Sequence, residues 1–197
     1  MSRHITPSDG AWTMAQLLAA ELAGERVEYL PFWGDTPPTD GRIGSHVLSQ
    51  WFPHPFEHEG VRYRTAEHFM MAAKARLFAD EVQLALILDA PTPAEAKSHG
   101  RSVRGFVSDI WDQSCVAIVR DGSVAKFGST PEMTAYLVGT GRRVLVEASP
   151  RDRIWGIGAG RDDPSVGRPS QWSGRNLLGC ALMQARAELA RRALRTT

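Results

Sequence analysis

Two residues of opposite charge that could carry out acid–base and nucleophilic chemistry lie on one stripe of a predicted helix. The apolar periodicity of residues 66–78 predicts an α-helix, and at about 100° per residue Glu67 and Lys74 share a line with Met71 and Phe78. The helical rise separates the two charged backbones by about 10 Å, which allows both side chains to reach a molecule held between them. Burial raises the pKa of a carboxyl and lowers that of a lysine, which suits a general acid and an amine nucleophile.

The same two residues also have a purely structural interpretation. An acid in the first turn stabilises a helix by about 0.3–1 kcal/mol, and a lysine can bury its stem while its ammonium group reaches water. The pattern further predicts which sides of this helix are buried and which are exposed. The buried face would contain Ala66, Phe69, Met70, Ala73 and Leu77, and the exposed face His68, Ala72, Ala75 and Arg76.

A second irregular feature is the long segment 146–172, which has no hydrophobic period. Such segments in compact domains are usually functional or disordered, and Trp155 and Trp172 favour an ordered one. Its glycine-rich part, 156–160, superficially resembles a dinucleotide-binding loop. No helix opens directly after it and no βαβ pattern surrounds it, so we reject a Rossmann site.

Other reactive residue types give weaker signals. The aromatic residues before residue 57 suit either a core or stacking platforms for a sugar or base. The six histidines lack ligand spacing, so no metal site is predicted. Cys115 and Cys180 lie far apart in apolar patterns and are expected to be buried thiols, without a disulfide.

The elements that would position these residues form a helix-rich α+β pattern in a single compact domain of about seven helices and a few short strands. Thr65, Thr92 and Thr130 are predicted helix N-caps. Glu59-Gly60 is the predicted turn of a hairpin. The predicted helices are 9–23, 66–78, 80–89, 93–100, 108–127, 131–139 and one from Ser173 onward, and the predicted strands are 27–33, 143–148 and the hairpin 56–65.

Composition excludes several classes of protein. With 197 residues, 43% hydrophobic and 23% charged, the chain has the make-up of one globular domain rather than of a disordered protein. The 23 basic and 22 acidic residues leave a charge of +1, which argues against a strongly basic nucleic-acid binder. No apolar stretch is long enough to span a bilayer, and no secretory signal is recognisable, so we expect a cytoplasmic protein.

Taken in order, the motifs resemble those of the NADAR (YbiA-like) family over residues 29–189. The matching segments are Phe32-Trp33-Gly34, Ser49-Gln50-Trp51, Thr65-Ala66-Glu67-His68-Phe69 with Lys74-Ala75, Pro93-Ala94-Glu95-Ala96-Lys97 with Gly100-Arg101, Trp111, Ala125-Lys126-Phe127, Glu147 through Gly156, Trp172-Ser173-Gly174 and Asn176-Leu177-Leu178-Gly179. The resemblance implies a YbiA-like fold, with residues 27–197 as the catalytic domain and residues 1–26 as an N-terminal extension that contains a helix.

The sequence departs from the family pattern at two positions. Gln50 stands where an asparagine is usual, which puts in doubt any asparagine-specific contact there. Ala66 stands where a serine is common, which removes only a capping hydroxyl.

The resemblance implies hydrolysis of a bond between ribose and the nitrogen of an amine-bearing base, without a cofactor. The first substrate class is ADP-ribose attached to a nucleobase, notably guanine, in a nucleic acid (DNA or RNA) or a nucleotide. The alternative is a phosphoribosylamino-pyrimidine intermediate of riboflavin biosynthesis. Two readings from other classes stay open: a non-catalytic module that binds ADP-ribose or a nucleotide, and an interaction domain that uses the basic C-terminal helix.

The family's functional residues map onto Glu67, Lys74 and Asp152 as the catalytic set. We expect Glu67 to act as general acid or base, Lys74 to form a Schiff base with the ring-opened sugar, and Asp152 to stabilise the oxocarbenium-like sugar. The expected substrate-binding residues are two stacking tryptophans, phosphate-binding arginines and residues of the matching motifs, namely Trp111, Trp155, Gly156, Phe32, Arg64, Arg101 and Asn176.

Overall fold

The computed structural model describes residues 6–196, with the backbone alone of Thr196. Four short strands form two separate pairs: β1 (Tyr29–Phe32), β2 (Phe56–His58), β3 (Val61–Tyr63) and β4 (Val144–Glu147). β1 and β4 are parallel, with Phe32 opposite Glu147. β2 and β3 form the predicted hairpin, whose turn at Glu59 and Gly60 has positive φ at both residues.

Seven α-helices make up nearly half of the described chain and far more of it than the strands do, which confirms the predicted helix-rich α+β class with few short strands. They are α1 (Met14–Leu22), α2 (Ala66–Leu77), α3 (Glu81–Asp89), α4 (Pro93–Arg101), α5 (Ser108–Gly128), α6 (Pro131–Gly139) and α7 (Leu177–Thr196). Thr65, Thr92 and Thr130 accept the expected capping hydrogen bonds from backbone N–H groups. None of the helices in residues 6–196 is long and apolar enough to cross a membrane.

Helix α2 lies in the interior because α3, α4 and α5 all pack against it. The predicted division of its faces is therefore wrong in part: Ala72 and Ala75 are fully buried, whereas Leu77 is 39% exposed. His68, predicted to face outward, is buried and bonds through Nε2 to the Ala90 carbonyl oxygen at 3.0 Å. A single helix period cannot show that neighbours cover a helix on several sides.

Two glycines allow this close approach to α2. A Cβ on Gly100 of α4 would collide with the side chain of Met71, and a Cβ on Gly122 of α5 would collide with the ring of Phe69. Gly100 thus lies inside α4, which continues to Arg101 rather than closing at the glycine, and α5 runs unbroken through Gly122.

Two other helices begin later than predicted. α1 starts at Met14 because Thr13 and Gln16 form a capping box, so that Asp9 is not the cap. α7 starts at Leu177 rather than Ser173, because Asn176 has a left-handed backbone with φ of 51°.

The N-terminal helix shares the core of the rest of the chain. Trp12, Leu17 and Ala20 belong to the same buried cluster as α2, α5, α7 and both β1 and β4. The buried guanidinium of Arg186 on α7 donates to the Gly10 carbonyl oxygen at 2.8 Å. A boundary at 26/27 stays a prediction, and residues 1–5 and 197 of the two proposed parts lie outside the described chain.

Candidate active site

A cavity of about 920 Å³ opens where the parallel strands β1 and β4 end. Its walls come from residues 33–35 after β1, Glu147 at the end of β4, one side of α2 from Glu67 to Lys74, the C-terminal half of α4, Trp111 of α5, and residues of the segment 149–155. Six of the predicted site residues line it together: Glu67, Lys74, Arg101, Trp111, Asp152 and Trp155. Carboxyl ends of parallel strands commonly face a ligand, and here they contribute side chains to one cavity.

Glu67 is held at the first turn of α2 with its carboxyl in the cavity. Its backbone N–H donates to the Gln50 carbonyl oxygen at 3.0 Å, its side chain is almost wholly buried, and its Oε1 has no hydrogen-bond partner. Burial raises the pKa of Glu67 to about 7, and the negative charge of Asp152 adds to the rise. The positive charges of Lys97 and Arg101 and a hydrogen bond from Trp51 lower the pKa in part. A carboxyl with this pKa can both give and take a proton near neutrality.

Lys74 reaches the cavity beside aromatic rings. Its Nζ donates to the Gly100 carbonyl oxygen at 2.8 Å and lies 4.2 Å from the ring centroid of Phe106 and 5.8 Å from that of Trp111. Partial burial of Lys74 lowers its pKa. The residue therefore has the environment of an amine that can lose its proton and act as a nucleophile.

Asp152 organises the loop that carries Trp155. Its Oδ1 accepts hydrogen bonds from the backbone N–H groups of Ile154 (2.9 Å) and Trp155 (2.8 Å), and its carbonyl oxygen accepts one from Gly158 (3.1 Å). The irregular segment predicted from its lack of period is thus ordered, and it presents both a carboxylate and an indole to the cavity.

Glu147 is the most informative residue that sequence reasoning left without a role. It lines the cavity, and its Oε2 is buried without a partner. Burial raises the pKa of Glu147 to about 8; Asp152 contributes to the rise and Lys97 opposes it. The available signal was a lone acid at the carboxyl end of the apolar strand 144–146.

Several other cavity residues were also not assigned. Lys97, which had no assigned role, lies one turn before the predicted Arg101 on α4; both line the cavity, and Lys97 Nζ is 5.8 Å from the ring centroid of Trp51. Their i, i+4 spacing was the signal that could have paired them. Further unassigned residues of the cavity include Trp33, Trp51, Met70, Met71, Arg151 and Arg153.

Two predicted substrate-binding residues do not reach the cavity. Phe32 is fully buried in the core, where strand pairing turns its ring away from solvent. Arg64 is exposed and donates to the Ala90 carbonyl oxygen at 3.1 Å, at the end of α3. Neither residue is among those that line the cavity.

Two more predicted residues support the cavity wall from behind. The buried Asn176 accepts from the Glu147 backbone N–H at 3.0 Å and donates to the Leu145 carbonyl oxygen at 2.9 Å. Gly156 packs so closely that a Cβ would lie 2.8 Å from the Glu147 carbonyl oxygen and 2.9 Å from that of Asp152. Both therefore position Glu147 and Asp152 rather than line the cavity.

Lys126 fixes the loop that brings Trp51 to Glu67. The fully buried ammonium group donates to the carbonyl oxygens of Val47 (2.7 Å) and Ser49 (2.8 Å). Burial lowers the pKa of Lys126 to about 7. Ser49 and Trp51 both line the cavity, so this lysine acts on the site through the backbone of residues 47–49.

A second, larger groove of about 1100 Å³ lacks this chemistry. Among residues 6–196, all three arginines that line it lie next to acids, as in the ion pairs Arg120–Asp121 and Arg191–Glu188, both at 2.8 Å. Over the part of the chain that the structure covers, no group of three or more His, Cys, Asp and Glu side chains could hold a metal ion.

The fold and the cavity together define a small helix-rich enzyme domain that combines buried carboxyls with a partly desolvated amine. The model of the NADAR domain matches residues 32–190, and the chain belongs to the NADAR family.

Relatives with known names agree with this assignment. The chain is 40% identical over 152 residues to N-glycosidase R617 of Acanthamoeba polyphaga mimivirus, with 75% of this chain and 89% of that protein covered. It is 34% identical over 137 residues to the riboflavin biosynthesis protein PYRR, chloroplastic, of Zea mays, with 64% of this chain and 19% of that protein covered.

The fold has a counterpart among solved structures. The NMR structure of the E. coli protein YbiA aligns with a TM-score of 0.67 and 26% identity, covering 86% of this chain and 89% of that one. The predicted YbiA-like fold is therefore confirmed. With N-glycosidase relatives of this similarity, the protein is an N-glycosidase of the NADAR family, a hydrolase acting on N-glycosyl bonds.

Proposed function

We propose that the protein removes ADP-ribose from a nucleobase, guanine above all, in a nucleic acid or a nucleotide, by hydrolysing the bond between ribose C1′ and the base nitrogen. The observation that carries this proposal is the cavity that Glu67, Lys74 and Asp152 line together. Its volume, about 920 Å³, lies at the upper end of the range for ligand sites and suits a dinucleotide-sized substrate.

The other residues of the cavity match the parts of such a substrate. Arg101, Arg151 and Arg153 line it and are exposed, and guanidinium groups bind phosphate oxygens in pairs. Four tryptophans offer faces on which bases can stack: Trp33, Trp51, Trp111 and Trp155. A diphosphate with bases attached through sugars at both ends would use both sets.

The proposed reaction needs an amine and proton transfer. The neutral amine of Lys74 adds to C1′ of the ring-opened sugar and expels the base nitrogen, which takes its proton from Glu67. The resulting Schiff base is hydrolysed by water, which regenerates the lysine and releases ADP-ribose. Asp152 stabilises positive charge that develops at the sugar in the transition states.

We place this activity in the cytoplasm, without a cofactor. The two cysteines, Cys115 and Cys180, are free, as is usual in a reducing compartment. Every proton transfer in the proposed reaction uses side chains of this chain and water.

A second candidate substrate is a phosphoribosylamino-pyrimidine of riboflavin biosynthesis. The similarity to the Zea mays protein named for that pathway favours it. Such a substrate has the same bond between ribose and an amine nitrogen, and it carries one phosphate and one base instead of two of each. It would leave part of the arginine and tryptophan set unused.

Release of free base from each substrate in separate incubations tests the proposal. We expect guanine-containing product from ADP-ribosylated guanine DNA or nucleotide at a rate at least tenfold above that from the pyrimidine. The reverse ranking would assign the riboflavin-type substrate. Tight binding of ADP-ribose with no base released from either substrate would contradict an enzyme and indicate a binding module.

Substitution of Lys74 tests the covalent step. Lys74→Arg retains the positive charge but cannot form an imine at neutral pH, so we expect base release to fall at least ~10²-fold. Borohydride added during turnover of the wild-type protein should attach the sugar to Lys74, as a mass increase on its tryptic peptide. Near-normal turnover by Lys74→Arg, or the absence of an adduct, would exclude the Schiff base.

A further inference from the structure

We propose that Glu147 is a second proton-transferring residue of this reaction: it holds a proton and donates it to the ribose ring oxygen when the sugar ring opens. This inference rests on the proposed function and adds a residue to which no role has been assigned. It accounts for two buried carboxyls in a cavity where the reaction, as written above, uses only one.

Hydrogen bonds hold the backbone of Glu147 at both its N–H and its carbonyl oxygen. Asn176 Oδ1 accepts from its N–H at 3.0 Å, and the backbone N–H of Ile157 donates to its carbonyl oxygen at 3.0 Å. Gly156 leaves no room for the backbone to shift, since even a Cβ there would be too close. The backbone at the end of β4 is therefore held in one place, and it carries the Glu147 side chain in the wall of the cavity.

One oxygen of its carboxyl lacks a partner in the protein. Oε2 is buried and makes no hydrogen bond. A buried polar atom without a partner costs about 1–3 kcal/mol, and proteins retain few of them. An unpartnered oxygen in the wall of a substrate cavity is explained if a substrate atom bonds to it.

Charged neighbours affect the two buried carboxyls differently. Asp152 and Lys97 act on both, but Asp152 is the charged group with the larger effect on Glu147, whereas Lys97 has the larger effect on Glu67, which also accepts a hydrogen bond from Trp51. Asp152 is the residue that the proposed reaction assigns to the sugar, so we assign Glu147 to the sugar as well. With its pKa raised to about 8, Glu147 carries its proton at pH 7.

Opening the sugar ring requires a proton at a different atom from the one that leaves with the base. The O–H bond of Glu147 breaks as an O–H bond forms on O4′. The C1′–O4′ electron pair moves to O4′, and the lone pair of the base nitrogen forms the C1′=N bond. When the ring closes after hydrolysis, the 4′-hydroxyl adds to C1′ and its proton returns to Glu147. Glu67 remains responsible for the base nitrogen.

The test is Glu147→Gln, which keeps shape and an N–H donor but cannot transfer a proton. We expect kcat to fall at least ~10²-fold, in the range of general acid catalysis, with KM within about threefold of wild type. Wild-type kcat should also decrease at alkaline pH as both Glu67 and Glu147 ionise, whereas only Glu67 ionises in the variant, so the decrease above pH 8 should be less steep in the variant. Glu57→Gln, at an exposed position on β2, is the matched control and should leave both unchanged.

Wild-type kcat and an unaltered alkaline decrease in Glu147→Gln would overturn the proposal. An infrared difference spectrum, wild type minus Glu147→Gln at pH 7, provides a readout independent of turnover. A protonated-carboxyl C=O band in that difference supports the assignment, and its absence overturns it. If the wild-type protein released no base from either candidate substrate, the proposed function would fail. The infrared band would still report whether Glu147 holds a proton.

Discussion

The acids of this cavity are held in a state that opposes folding at neutral pH. Glu67 and Glu147 are buried, and each has an oxygen without a hydrogen-bond partner. Their folded-state pKa values, about 7 and about 8, lie above the ordinary value of 4.5. Between pH 4.5 and these raised values, the folded protein binds more protons than the unfolded chain. The free energy of unfolding therefore falls as pH rises through this range. The protonated acid needed for chemistry is obtained at the expense of stability at higher pH.

Glu67→Gln separates these two effects. At pH 8 we expect the variant to be more stable than wild type by up to about 3 kcal/mol, because a shift from 4.5 to about 7 has that value. At pH 4 the difference should vanish, because the wild-type carboxyl is then largely neutral in both states. Urea unfolding at both pH values measures this, and kcat should fall at least ~10²-fold.

The exposed Glu57 supplies the control for that experiment. Glu57→Gln should alter neither the pH dependence of unfolding nor the rate. A fully active Glu67→Gln would return Glu67 to the role of a helix-stabilising acid. An unchanged free energy of unfolding at pH 8 would contradict the destabilising effect of its burial.

At the scale of elements, local chemistry predicts where most helices and turns lie. Thr92 followed by Pro93 begins α4, Thr130 followed by Pro131 begins α6, and Glu59-Gly60 turns the hairpin. These signals act within four residues, so they can be recognised in the sequence. The burial of Ala72 and Ala75 could not be predicted, because it depends on α3 and α4 folding back over α2.

The same distinction applies to the candidate site. Glu67 and Lys74 could be singled out because they share a helix stripe, and the resemblance added Asp152 from an aperiodic segment. Glu147 gained a role only when β1 and β4 were seen to end at one cavity. Lys126 had no explanation in the sequence, since its hydrogen-bond acceptors, Val47 and Ser49, lie more than 75 residues earlier in the chain.

Lys126→Met tests the loop connection. The variant leaves the Val47 and Ser49 carbonyl oxygens without their donor, so we expect residues 45–52 to lose order and Trp51 to leave its hydrogen bond with Glu67. Hydrogen exchange of amides in residues 45–52 and of the Glu67 N–H should accelerate at least ~10-fold, and KM should rise.

Arg120→Met is the matched control for Lys126→Met, because Arg120 lies on the same helix, α5, and is partly exposed. It should leave exchange in residues 45–52 at the wild-type rate. Unchanged exchange in Lys126→Met would show that the loop is held by its own packing and that Lys126 does not position the site.

At the scale of the whole molecule, the cavity depends on parts that are distant in sequence. Its strand walls come from β1 and β4, which pair in register although more than 110 residues separate them. α7 supports the back of the site through Asn176 just before its first turn, and it also carries Arg186, which binds Gly10 and Thr140. The N-terminal segment is therefore connected to the helix that supports the site.

This connection predicts that α1 unfolds together with the catalytic part. Leu17 is fully buried in the common core, whereas Leu22 on the same helix is 91% exposed. Leu17→Ala should lower the free energy of unfolding by about 2–5 kcal/mol, while Leu22→Ala should change it by less than about 0.5 kcal/mol. In a Trp12→Phe background, which removes the tryptophan beside α1, tryptophan fluorescence reports mainly on the four cavity tryptophans; it and circular dichroism should give one coincident urea transition in both variants.

The activity of Leu17→Ala completes the test. Within residues 6–196, the cavity is lined only from Trp33 onward, so kcat of the folded variant should stay within about twofold of wild type. If Leu17→Ala instead unfolded in two steps, with the tryptophan transition at the wild-type urea concentration, residues 1–26 would be an independent unit. Loss of kcat at a temperature where circular dichroism shows the native fold would mean that α1 shapes the site as well as the core.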